Sequence, residues 1–209
     1  MAGLFVTIEG VEGVGKSTNL SFIESLLEDR GISYFSTREP GGTDCGERIR
    51  ALLLDKDRNE MTDMTELLLM FAARAQHVEQ VIKPALDAGK WVICDRFTDS
   101  SYAYQGGGRH VPDDLIAQLE KIAIDGFVPD CTILLDLAVE TGLSRAASVG
   151  AKDRFELEQD DFFNRVRQAF LDRAGDENRI HVVNASLPLV EVQDQITRII
   201  NRVIDERLS

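Results

Sequence analysis

Gly10-Val11-Glu12-Gly13-Val14-Gly15-Lys16-Ser17 carries two glycines, a lysine and a hydroxyl at the spacing G-x-x-x-x-G-K-[S/T]. Glycines at that spacing let the backbone curl until successive N–H groups point into one concavity. A helix starting at the lysine adds its positive dipole end. Lys16 then reaches the outer phosphates of a nucleoside triphosphate, Ser17 supplies a hydroxyl to Mg2+, and Thr18 continues the ring of donors. The context agrees: Leu4-Phe5-Val6-Thr7-Ile8 reads as a buried strand just before the loop, and Thr18 to Leu27 as an amphipathic helix just after it. The expectation is a phosphate-binding loop for ATP made of Gly10 to Thr18.

Further residues suited to chemistry follow at intervals. Thr37-Arg38-Glu39-Pro40-Gly41-Gly42-Thr43 is a stiff turn after a second strand, either a plain connection or a wall of a site, with Arg50 on the helix beyond it. Phe71 and Arg74 sit at i and i+3 on one helix, where an aromatic ring and a guanidinium meet a nucleobase or, equally, form a core residue beside a surface charge. Asp95-Arg96-Phe97 closes an apolar strand, putting a carboxylate near the Mg2+ and an arginine within reach of a phosphate. Ser101 and Gln105 are spaced to offer hydrogen bonds to a base edge, with Tyr104 as a flat wall. Gly106-Gly107-Gly108 implies unusual backbone angles, close approach by another group, or the end of a helix. Gly150–Gln159 is charged and poor in apolar anchors, so it reads as a surface flap over about 145–159 whose Lys152 and Arg154, with Arg145 ahead of them, are either solvated charges or cations for a transferring phosphoryl.

Elements that would position these groups are legible from periodicity. Strand-like runs occur at Leu4–Ile8, Ser33–Ser36, Trp91–Cys94, Thr132–Leu135 and Ile180–Val183. Helical patterns fill Lys16–Arg30, Gly46–Leu54, Thr65–Ala88, Pro112–Ile124, Val139–Val149, Asp160–Arg173 and Leu189–Arg207. Alternating strands and helices predict an α/β fold, a three-layer α/β/α sandwich around a five-stranded parallel sheet, with loops at Gly10–Lys16, Arg38–Thr43, Asp95–Gln105 and Asp136–Glu140 gathered at its C-terminal edge. A length of 209 residues suits one domain, residues 1–209. The net charge of −13 argues against nucleic acid as a partner, so the cations within motifs carry unusual weight. Cys45, Cys94 and Cys131 lack metal-ligand spacing, and the latter two fall in core-like strands. Neither a basic leader followed by a long apolar stretch nor an apolar run near the ~20 residues of a membrane span is present, so a cytoplasmic location without membrane association is expected.

Taken together over Leu4 to about Leu208, these motifs resemble the bacterial thymidylate kinase family, a branch of the P-loop NTPases. The matching segments are Gly10–Ser17, Arg38–Thr43, Asp95–Phe97, Ser101–Gly107 and Asp153-Arg154-Phe155-Glu156. The resemblance implies transfer of the ATP γ-phosphoryl to dTMP, with Mg2+, by a homodimer. It implies that Phe71 stacks on thymine, Arg74 bonds its carbonyl, and Ser101 and Gln105 contact the base edge. Tyr104 would lie under the deoxyribose, Arg96 and Arg50 would hold the acceptor phosphate, and Glu39 and Pro40 would belong to the acceptor-side turn. Glu12 would lie near the sugar 3′-hydroxyl, and Ser17 and Asp95 beside the metal. Gly13 in the loop together with Arg154 in the flap resembles the form of the family whose catalytic cation comes from the flap. One departure concerns the ring: many members place it four residues before the arginine, where this chain has Met70, so Met70 is the alternative to Phe71.

Overall fold

The computed structural model describes residues 3–56, 60–146 and 154–208. Its frame is a parallel sheet of β1 (Phe5–Glu9), β2 (Tyr34–Arg38), β3 (Trp91–Asp95), β4 (Cys131–Asp136) and β5 (Ile180–Asn184). They lie in the order β2-β3-β1-β4-β5, every pair parallel. All five residues of β1 are buried, as expected of a central strand covered on both faces. Val6 and Ile8 share a core cluster with Ile23 and Leu27 of helix α1 (Lys16–Asp29). Phe5 joins Val92 and Cys94 in a second cluster with Val78 and Ile82. This period-two division of the strand residues is what gives the sheet helices on both faces.

The helices after α1 are α2 (Asp44–Leu54), α3 (Asp63–His77), α4 (Lys83–Asp87), α5 (Thr98–Ser101), α6 (Asp113–Ile124), α7 (Val139–Ala146), α8 (Asp160–Asp176) and α9 (Leu189–Leu208). Two start earlier than periodicity suggests because a threonine caps them. The Thr43 hydroxyl accepts from the Gly46 N–H, and the Thr62 hydroxyl from the Thr65 N–H. The long pattern Thr65–Ala88 is α3 and α4 joined through a π-helical turn, Val78–Ile82.

One expectation needs correction. Asp95–Gln105, read as a loop, contains α5, which continues into π-helix over Tyr102–Gly108. None of the three glycines there has a positive φ. A Cβ on Gly106 would stand 2.7 Å from the Asp113 carboxylate, on Gly107 2.6 Å from the Ala169 Cβ, and on Gly108 2.5 Å from the Phe162 ring. The triplet forms the last turn of this helix, which ends at Gly108, and lets α8 and the start of α6 lie against it. The last three residues of the predicted helix Val139–Val149, and Lys152 and Asp153 of the flap, fall outside the described residues.

Candidate active site

At the C-terminal edge of β1, β2 and β3 a cleft of about 520 Å3 opens between the Gly10–Lys16 loop, the turn after β2, α3, α5 and the segment around Phe155. Open parallel sheets place ligands there because strand ends and helix N-termini converge. The loop itself depends on Gly13, held at φ 71°, where a side chain would meet the Gly142 carbonyl at 1.9 Å. Helix α7 therefore seats directly on the loop, and it delivers Arg145 to the cleft. Val11 and Val14 turn their side chains into the core, leaving backbone to face a phosphate, whereas Ser17 and Thr18 are exposed on the cleft wall.

Lys16 donates to the carbonyls of Gly10 and Val11 at 3.0 and 3.1 Å. Burial, reinforced by the Arg96 charge, pushes its pKa down to about 8 against the pull of Asp95, Glu12 and Glu9. Arg96 follows β3 in left-handed conformation, φ 69°, which turns its side chain back across the sheet edge. Its guanidinium donates to the Gly10 carbonyl (3.0 Å), the Ser100 hydroxyl (3.2 Å) and Glu12 Oε1 (2.9 Å), and lies over the Tyr104 ring. Burial opposes its charge, but Tyr104 and the carboxylates of Glu12, Asp95 and Glu9 raise its pKa overall. The Tyr104 hydroxyl donates to the same Glu12 oxygen at 2.6 Å.

The other wall is a buried polar chain. Arg74, 2% exposed, donates from Nε to Glu39 Oε2 (2.7 Å), from Nη1 to the Ser101 hydroxyl (3.0 Å) and from Nη2 to the Phe97 carbonyl (3.0 Å). The remaining Glu39 oxygen pairs with His77 Nδ1 at 3.0 Å, and His77 Nε2 meets the Thr37 hydroxyl at 2.7 Å. Glu39 thus lines the cleft but spends both oxygens on holding Arg74 and His77, so its part at the site is to fix the arginine. Arg50 donates to the Pro40 carbonyl at 2.9 Å and, like Pro40, lines the cleft.

Two expected residues lie elsewhere. Phe71 is 3% exposed in a cluster with Leu67, Tyr102 and Ile116. The Arg74 guanidinium lies 4.7 Å from its ring and 5.3 Å from that of Phe97, and Met70 takes the cleft-facing position. Phe71 shares Arg74's face, as the spacing requires, but it packs into that cluster, and of the two candidates it is Met70 that lines the cleft. Arg154 is not a solvated charge either. Its Nε donates to the Leu53 carbonyl at 2.9 Å, and Nη2 makes an ion pair with Glu66 at 2.6 Å that lacks the direction of a hydrogen bond. Phe155 and Glu156 stand on the cleft instead.

Several buried polar groups had no local sequence signal. Glu9 accepts from the Phe97 N–H (2.7 Å) and the Ser100 hydroxyl (2.6 Å), and burial pushes its pKa up to about 7, with Asp99 adding to the rise. Asp99 binds Arg173 and Arg179 at 2.7–2.8 Å, tying α5 to α8; burial works against its charge, but the two arginines hold its pKa below the usual carboxylate range. Their partners are far apart in sequence. As a fit test for Mg2+, Asp95 Oδ1 and Glu12 Oε2 are buried and have no hydrogen-bond partner among the described residues, and Ser17 faces the same cleft. These are hard oxygen donors, few enough to leave coordination positions to phosphates and water, as Mg2+ in kinases requires.

A parallel sheet with a phosphate-binding loop after its central strand, facing a wall of arginines, defines a P-loop phosphotransferase. The family described as thymidylate kinase matches residues 8–196. The thymidylate kinase of Pseudomonas entomophila is 51% identical over 206 residues, covering 98% of both chains, and that of Alcanivorax borkumensis is 50% identical over 204 residues, covering 97% of this chain and 98% of its own. The crystal structure of the thymidylate kinase from Ehrlichia chaffeensis superposes with a TM-score of 0.77 at 34% identity, covering 96% of this chain and 99% of that one. The chain belongs to the thymidylate kinase family.

Proposed function

We propose that the cleft transfers the γ-phosphoryl of ATP to dTMP, giving dTDP and ADP, with the phosphate-binding loop as donor site and the Arg74 wall as acceptor site. The observation that carries the reading is the convergence of Lys16, Arg96, Arg50 and Arg74 on one cleft in an otherwise acidic protein. Two phosphate groups brought to ~4 Å repel by several kcal/mol at an effective dielectric near 20, so collecting cations is the site's main task. A phosphate monoester oxygen is already nucleophilic at neutral pH. The protein then needs in-line placement and charge neutralisation in a dry site, and no strong base.

In this assignment the N–H groups of Gly10 to Thr18 and the Lys16 ammonium hold the ATP phosphates. Arg96 and Arg50 hold the acceptor phosphate, Glu12 aligns Arg96 and Tyr104 beneath the sugar, and Met70 packs on the base while Arg74, Ser101 and Gln105 face its edge. Ser17 and Asp95 would hold Mg2+, whose supplied chemistry is neutralisation of charge shared by the outer phosphates. Arg154 serves the transferring phosphoryl from the flap by exchanging Glu66 and the Leu53 carbonyl for phosphate oxygens. A cytoplasmic, single-domain homodimer completes the reading. In its support, Leu52, Met64 and Leu68 leave apolar surface on α2 and α3, and no described helix is long and apolar enough to cross a membrane.

ADP release, assayed with ATP and Mg2+ against dTMP, dUMP, dCMP, dGMP and AMP in turn, is expected to be fastest with dTMP and near background with no acceptor. Equal release without acceptor would mark a regulatory ATPase. Arg154→Ala is expected to lower kcat by about 10³-fold, the low end for an arginine finger, with little change in the KM for dTMP. Unchanged kcat would end that assignment.

A further inference from the structure

Glu66 lies on α3 one turn before Met70 and two before Arg74, is 1% exposed, and so far has figured only as the ion-pair partner of Arg154. Its Oε1 accepts from the Gln105 side-chain amide at 2.7 Å. Its Oε2 stands 2.6 Å from Arg154 Nη2 and 3.5 Å from Arg109 Nη2. A carboxylate facing two arginines can only accept hydrogen bonds. The Gln105 amide must therefore turn its NH2 end to Glu66, which leaves its carbonyl as the end available to the cleft that Gln105 lines.

We propose that Glu66 is a specificity-determining positioning residue: by pinning the Gln105 amide it presents a fixed acceptor to the ring nitrogen edge of the base. Thymine offers N3–H there and is accepted. Cytosine offers a lone pair at the same atom and is rejected, independently of its missing methyl group. The inference rests on the reading that Gln105 faces the base edge.

The charges around Glu66 make the consequence directional. At Glu66→Gln the Arg109 guanidinium still demands an acceptor, as does Arg154 until it exchanges Glu66 for phosphate, so the new side chain turns its carbonyl to the arginines and its NH2 to Gln105. The Gln105 amide reverses, and the cleft sees a donor where it had an acceptor.

The test compares kcat/KM for dTMP with that for 5-methyl-dCMP, which keeps the methyl group and changes the N3 and C4 positions of the ring edge. In Glu66→Gln the ratio is expected to fall by about 10- to 100-fold, the range for mispairing one buried hydrogen bond, while a merely structural role would lower both substrates alike and leave the ratio standing. An unchanged ratio overturns the proposal. Gln105→Met separates the two levels of inference. If it leaves the ratio intact, the base-edge reading of Gln105 fails. If it collapses the ratio while Glu66→Gln does not, only the role of Glu66 fails. The unmodified protein supplies a readout that does not depend on a variant folding: the Gln105 side-chain NH2 protons are expected to be protected from solvent exchange with and without dTMP. Rapid exchange in both states would refute a pinned amide.

Discussion

Arg96→Ala is expected to cut kcat/KM for dTMP by about 10²- to 10³-fold, mostly through weakened acceptor binding, because it strips the paired guanidinium from a pocket of carboxylates. The native guanidinium holds the Gly10 carbonyl, the Ser100 hydroxyl and Glu12, and covers the Tyr104 ring. Without it, Glu12 keeps, among the described residues, the Tyr104 hydroxyl on Oε1 and no hydrogen bond on Oε2, and Asp95 and Glu9 lose the same countercharge. Removing one partner of a fully buried ion pair costs about 3–5 kcal/mol; Arg96 and Glu12 are partly buried, so the cost is smaller here, and the residual negative field also repels the incoming phosphate. Arg96→Lys is expected to recover little, since a single ammonium cannot span the carbonyl and the carboxylate together. Calorimetry of dTMP binding decides: wild-type affinity in Arg96→Ala would remove the phosphate-clamp role.

The route from sequence to this site was open where chemistry is local and closed where it is not. The phosphate-binding loop, the strands and most helices are written in short-range spacing, because burial of one face imposes a period on consecutive residues. Gly106–Gly108 shows where that logic stops. The triplet signals close approach or a helix end, and it is both, yet the approaching surface of α8, including Phe162 and Ala169, lies more than fifty residues away in the chain, where no local pattern names it. Phe71 shows a subtler limit. The spacing correctly puts it on the face of Arg74, but a helical guanidinium has two sides, and only the assembled fold reveals that Met70 has the cleft side. A charged residue amid Leu67, Leu68 and Leu69 could have pointed to Glu66, since Glu66, Met70 and Arg74 form one stripe at four-residue spacing. Asp99 offers no comparable signal, because Arg173 and Arg179 reach it only through the tertiary fold.

Lys16→Ala is expected to reduce kcat by at least about 10²- to 10³-fold, the cost of losing one preorganised group at the developing charge, and to do so while leaving dTMP binding nearly intact. The reason lies in how the free site treats this ammonium. It donates to the Gly10 and Val11 carbonyls, and burial with the neighbouring Arg96 brings its pKa to about 8. Triphosphate oxygens add countercharge to that of Asp95, Glu12 and Glu9, so nucleotide binding must raise that pKa. The sign follows: below pH 8 the lysine already carries its proton, and above it binding has to take one up. Affinity for a non-hydrolysable ATP analogue, measured without metal, is therefore expected to fall about tenfold between pH 7 and 9, with proton uptake approaching one per site. Calorimetry at pH 8.5 in two buffers of different ionisation enthalpy measures that uptake, and Lys16→Ala should abolish it. Identical heats in both buffers for the wild-type protein would mean that Lys16 does not answer to the phosphates.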